Sequence, residues 1–164
     1  MITGKVVPIV RAADEGERLW FYGGGLHIWK ATAAETAGAF LLFEDFMSRG
    51  KTTPLHTHAE VDETLYVLEG EILVHVDGEE KQVGSGGVAV FLRGVPHAFL
   101  VTSETARILC LETPGSSEAF YRGASEPATP DLESTAPVDF ARVRASAERN
   151  GGIEILGPPP FKMI

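Results

Sequence analysis

The sequence predicts an all-β protein, a sandwich or closed barrel of short strands, on three observations. Eighteen glycines and ten prolines in 164 residues cut the chain into short segments and leave little room for long helices. From Glu63 onward, short apolar or alternating runs recur at regular spacing between glycine turns. Asp77-Gly78 stands between two such runs, and glycine supplies the positive φ that a tight hairpin needs. The length is that of one domain and is enough to close a hydrophobic core.

Element by element, Arg18–Tyr22 reads as an aromatic-rich strand broken by Gly23-Gly24-Gly25, and Leu26–Ala31 as a second. Thr36-Ala37-Gly38 reads as a turn, and Ala39–Met47 as a strand carrying Glu44 and Asp45. Glu63–Glu69 ends at Gly70, Glu71–Val76 alternates into the hairpin, and Lys81–Val83 returns. Gly84-Ser85-Gly86-Gly87 is a turn, since no helix and no phosphate-loop lysine follow it. Val88–Leu92 reads as a buried strand, followed by strands at His97–Thr102 and Arg107–Glu112. Residues 123–137 are rich in Pro, Ser, Thr and acids and read as a linker or surface arm. Asp139 then offers an N-cap, Phe140, Val143 and Ala147 recur at helical spacing, and Asn150-Gly151 stops a helix over Phe140–Arg149. That helix needs a partner for its apolar stripe, and Glu154–Pro160 reads as an extended tail. The organisation expected is residues 1–122 as barrel with N-terminal strands, its core about 40–112. Residues 123–164 are linker, helix and Pro-rich tail packed on the barrel or on a partner.

Composition narrows the function. A net charge of −9 argues against nucleic acid, whose phosphates need a basic surface. Cys110, the single cysteine, has no His or acid beside it in sequence and reads as a core thiol. Neither a secretory signal nor a run of about 18 apolar residues is seen, so a cytoplasmic protein is expected.

The chemistry lies in His56-Thr57-His58, Glu63 and His97. Two histidines one residue apart on an extended chain point to the same side. Glu63 opens the next strand after a connection of turn length, and His97 opens another after Gly94-Val95-Pro96. Three imidazoles and a carboxylate suit one divalent transition metal (iron, nickel, manganese, cobalt, copper or zinc) and not calcium or magnesium, which prefer oxygen shells.

Gly50, His56, His58, Glu63 and Gly70 stand at the spacing of the first cupin motif, and Gly86, Gly94 and His97 at that of the second. Leu92 and Val101 depart from the second motif where it has proline and asparagine, and neither is a ligand. Over Phe40–Leu111 the chain resembles the cupin superfamily, which implies an RmlC-like jelly roll (a double-stranded β-helix) with His56, His58, Glu63 and His97 as metal ligands. Glu60 and Asp62 fall outside that spacing and read as solvated turn acids. The Trp20–Gly25 opening, Thr113-Pro114-Gly115 with Phe120, and the Glu154–Pro160 tail are similar to single-domain bacterial cupins related to quercetin 2,3-dioxygenase. That resemblance implies a metal-dependent dioxygenase acting on a flavonol or other enolisable aromatic, with Glu63 as general base and dioxygen as co-substrate.

Two other classes stay open. One is a cupin isomerase of sugar phosphates, for which Arg49, Lys51 and Arg93 are the available cations. The other is a non-enzymatic binding or sensing cupin; one C-terminal helix and an acidic chain do not make a DNA-binding regulator. His27 and His75 each stand without a visible partner and read as structural. Among Phe40, Phe43, Phe46, Tyr66, Phe91 and Phe99, most read as core. Phe99 shares the parity of His97 and Leu65 that of Glu63, which makes these two the substrate-pocket candidates. A homodimer is expected, burying the N-terminal strands and the C-terminal helix.

Overall fold

Period-two burial sets the faces of the sheets. The computed structural model describes residues 7–129 and 138–162. In β3 (Leu41–Ser48) the buried positions are Leu41, Phe43, Asp45 and Met47. In β10 (Thr105–Thr113) they are Ala106, Ile108, Cys110 and Glu112, and in β5 (Asp62–Glu69) Glu63, Leu65 and Val67. These three strands are neighbours in a seven-stranded antiparallel sheet, so their inward side chains form one continuous floor.

That sheet runs β11-β1-β2-β3-β10-β5-β8, with β1 Glu17–Phe21, β2 Gly25–Ala31, β8 Val88–Phe91 and β11 Ser125–Pro127. The second sheet runs β12-β4-β9-β6-β7, with β4 Leu55–Thr57, β6 Glu71–Val76, β7 Glu79–Gly84, β9 His97–Val101 and β12 Glu154–Gly157. Ile72 and Val74 of β6, with Phe99 and Val101 of β9, face the floor and complete the core. Two antiparallel sheets closed over one core make a jelly roll. The β6–β7 hairpin turns through Asp77 and Gly78, both at positive φ (54° and 77°), as a two-residue primed turn requires.

Two helices lie among the described residues, α1 (Glu118–Gly123) and α2 (Phe140–Asn150). Asp139 caps α2 by accepting from the Arg142 amide at 3.1 Å. Ser146 of α2 donates to the Phe120 carbonyl of α1 at 2.7 Å, and Val143 is buried beside it. The expected apolar stripe is thus covered at Val143, while Phe140 stays 46% exposed.

Several sequence expectations need correction. Val88–Leu92 is not a buried strand: β8 is a sheet edge, and Val88, Val90 and Leu92 are exposed. Residues 123–137 are not wholly a linker, because Ser125–Pro127 pairs with β1 as β11; residues 130–137 lie outside the described ones. The helix α1 had no sequence expectation. The extended tail is a true strand: β12 pairs with β4, setting Ile155 opposite His56. No helix among the described residues is long and apolar enough to cross a membrane.

Candidate metal centre

Strand register brings the predicted ligands together. His56 of β4 lies directly opposite His97 of β9, which puts their ring centroids 4.4 Å apart. His58 follows the end of β4, with its ring 5.2 Å from His56 and 5.5 Å from His97. Glu63 rises from the other sheet, its Oε2 2.8 Å from His97 Nε2 and 3.5 Å from His58 Nε2. One donor atom from each of the four residues lies within 4.8 Å of all the others, and all four residues are buried.

The surroundings orient these rings. His56 Nδ1 lies 2.9 Å from the Pro54 carbonyl, and His97 Nδ1 2.9 Å from the Val95 carbonyl. A ring whose Nδ1–H donates to a carbonyl presents a bare Nε2 to a metal. Phe91 stacks on His97 at 3.9 Å and 7°, which fixes the ring plane. Neither His58 nitrogen has a hydrogen-bond partner of ordinary geometry, an orphaned buried imidazole that a metal would satisfy. Three imidazoles and one carboxylate, buried and convergent, fit a divalent transition metal.

The electrostatics follow from that crowding. Burial, then the neighbouring His97, lowers His56 to about 3. Burial pulls His58 down too, but the Glu63 carboxylate 3.5 Å away outweighs it and raises His58 to about 9. Burial pushes Glu63 up, yet His58 and His97 together hold it well below the usual carboxylate range. The carboxylate form is the one that binds a cation.

A second buried layer lies beneath. Glu112 is the cross-strand neighbour of Glu63, fully buried, and accepts from the Ser117 and Tyr121 hydroxyls. Burial raises Glu112 to about 7 and the Tyr121 hydroxyl well above its ordinary range. The sequence reading left Cys110 without an acid beside it; its thiol is 3.8 Å from Glu63 Oε1, because β10 is paired with β5. Burial, reinforced by Glu63, pushes that thiol's pKa well up, so it stays protonated.

His56 and Glu63 also open onto a cavity between the sheets, with about 60 Å³ of free space. Leu65 and Phe99 both line it, as does Phe43. Phe91 is spent on His97, while Tyr66 is exposed. His27 lines the cavity as well and is not partnerless: it is sandwiched between Phe21 (4.9 Å) and Phe43 (4.4 Å), with Asp45 Oδ2 3.5 Å away. Lys51 reaches the same place, 3.9 Å from Asp45 Oδ2. Sequence reasoning missed this group, although a carboxylate at an inward position of β3 was the available signal. His75 lies elsewhere, 4.0 Å from Glu80 and near Phe161. Asp62 is a surface acid held by Arg93 at 2.9 Å.

Comparison with known proteins agrees with this architecture. Residues 42–112 match the Cupin domain family. Over 121 residues the chain is 30% identical to quercetin 2,3-dioxygenase of Bacillus subtilis (strain 168), covering 74% of this chain and 36% of that one. An uncharacterized protein of Aquifex aeolicus (strain VF5) is 36% identical over 59 residues, 36% of this chain and 49% of that one. The chain thus spans between about a third and a half of the curated relatives it matches. Among solved structures, KdgF from Halomonas sp. superposes with a TM-score of 0.57 at 19% identity, over 63% of this chain and 92% of that one. A predicted oxalate decarboxylase from Thermotoga maritima gives 0.57 at 21% identity, over 65% and 99%. An RmlC-like cupin from Shewanella frigidimarina NCIMB 400 gives 0.56 at 19%, over 63% and 88%, and these likenesses establish the shared fold.

Proposed function

We propose that the protein is a metal-dependent dioxygenase acting on a flavonol-like or other enolisable aromatic substrate. The observation that carries this reading is the His56, His58, Glu63 and His97 cluster opening onto a cavity walled by aromatic side chains. Quercetin 2,3-dioxygenase as a relative supports the substrate class.

His56, His58, Glu63 and His97 would hold the metal, which when bound supplies Lewis acidity and an anchor for the substrate's oxygen. His56 and His97 are held in one tautomer by the Pro54 and Val95 carbonyls. Glu63 stands at the junction of the cluster and the cavity, where its carboxylate takes the substrate's hydroxyl proton as general base. The cavity walls exclude water from the enolate so formed. Phe140, Val143 and Ile153 line the cavity from α2 and the segment after it.

A sugar-phosphate isomerase is disfavoured by where the cations lie. Arg93 is committed to Asp62 and Arg49 is exposed outside the cavity, which leaves Lys51 alone to reach it. A non-enzymatic binding cupin is the outcome if the loaded protein binds such ligands and consumes no dioxygen. The reading includes a homodimer that buries the N-terminal strands and the C-terminal helix, where Phe140 is exposed.

The test is metal analysis of untagged protein, followed by oxygen uptake with flavonols. The reading expects near-stoichiometric transition metal and flavonol-dependent uptake. Absence of metal even after reconstitution overturns it.

A further inference from the structure

The polar groups beyond Glu63 have no part in holding the metal. Lys51 projects into the cavity with its side chain 6% exposed. Its ammonium carries three donors. Among the described residues it meets Asp45 Oδ2 at 3.9 Å and stands 4.2 Å over the Phe99 ring. The His27 Nε2 to Asp45 Oδ2 separation is 3.5 Å. Both gaps exceed ordinary hydrogen-bond length. His27 Nδ1 and Asp45 Oδ1 are buried without a hydrogen-bond partner. Asp45 Oδ1 is packed against Gly25, where a Cβ would overlap it. Three polar side chains are therefore paired by charge at long range, while Asp45 Oδ1 and His27 Nδ1 keep unused hydrogen-bonding capacity.

We propose that Lys51 and Asp45, with His27 beside them, form a receptor for a neutral hydroxyl of the ligand, so that the ligand is a polyhydroxylated aromatic with one hydroxyl remote from the metal-bound oxygen. This rests on the reading above that the cavity takes an enolisable aromatic. The charges choose the group. Lys51 and Asp45 cancel, so a carboxylate or phosphate that gained the ammonium would also meet the acid. A hydroxyl accepts from Lys51 and donates to Asp45 at once. Phe21, Phe43 and Phe99 line the cavity and give it apolar surface for the ring that carries the hydroxyl. Sites built to hydrogen-bond a ligand hydroxyl discriminate strongly against the analogue that lacks it, because their buried polar groups are then left unpaired.

The test measures binding to the metal-loaded full chain by calorimetry, with two probe sets that keep the chelating hydroxy-ketone and vary the other hydroxyls. The flavonol set is 3-hydroxyflavone, galangin and kaempferol; the small set is allomaltol and kojic acid. In the wild type the added hydroxyls should strengthen binding by about 10- to 100-fold in at least one set, the value of a charge-assisted hydrogen bond. In Lys51→Met that preference should disappear. Lys51→Met/Asp45→Asn, which leaves no unpaired charge, should lose it too, and metal content reports that each variant is folded. Equal affinity within both sets, or a preference that survives in both variants, overturns the receptor while leaving the aromatic reading in place. A lowered melting temperature with the preference intact assigns the ion pair a structural role and likewise overturns it. If the loaded wild type binds none of the five probes, the aromatic reading falls and the receptor with it.

Discussion

The two ends of the cavity are built by different strands, the metal end by β4, β5 and β9 and the far end by β2, β3 and the connection after it, and they treat polar atoms differently. At the metal end, His56 and His97 are each tied to a backbone carbonyl at 2.9 Å, and Glu63 is 2.8 Å from His97. At the far end, Asp45 faces His27 across 3.5 Å and Lys51 across 3.9 Å. One end draws its groups to hydrogen-bonding distance; the other holds them at ion-pair distances beyond it. The difference teaches that burial of polar residues has two uses in one barrel. Tight closure fixes geometry for a metal, and incomplete closure keeps donors and acceptors available to a ligand.

The contrast is broken most severely by removing ligands. His56→Ala/His58→Ala should weaken metal binding by more than about 100-fold, beyond what loss of an orienting partner costs, as read by metal analysis after dialysis. Glu63→Gln should lower flavonol-dependent oxygen uptake by roughly 100-fold or more, the usual worth of a positioned base. Unchanged turnover with metal retained would remove Glu63 from that role.

The pH dependence of the metal-free protein sharpens the comparison. Burial raises Glu112 from the ordinary 4.5 to about 7. Between those values the folded chain keeps a proton that the unfolded chain has lost. This contribution is complete below about pH 4.5 and is lost as the pH rises through about 7, up to about 3 kcal/mol in all. Denaturant titrations across that window should show a steeper fall for wild type than for Glu112→Gln, which keeps the group neutral. The smallest effect belongs to Asp62→Ala. It breaks the partly exposed pair with Arg93 and should cost under about 1 kcal/mol by thermal melting, with metal content unchanged.

Much of the barrel was legible because period-two burial leaves a period-two sequence. Glu71–Val76 and the Asp77-Gly78 turn stand where the pattern placed them. The four ligands were legible because three of them sit at fixed spacing around one turn, and His97 opens a strand of its own. What escaped was set by pairing between distant segments. Val88 and Val90 are apolar yet exposed, since nothing in their own stretch says that β8 has no neighbour beyond it. Ser125–Pro127 looks like a linker by composition and becomes a strand only because β1 offers it an edge. His27 looked solitary because its companions Asp45 and Lys51 arrive from β3 and the connection after it.

The pairing of β12 with β4 bears on how the centre is assembled over time. His56 is flanked by His97 on one side and Ile155 on the other, both far away along the chain. Contacts between such distant segments are slow to form, because each closes a long loop. Before they form, the chain offers a metal only the local His56, His58 and Glu63, without His97. The full ligand set is thus a late product of folding, and metal acquisition should follow barrel closure instead of guiding it.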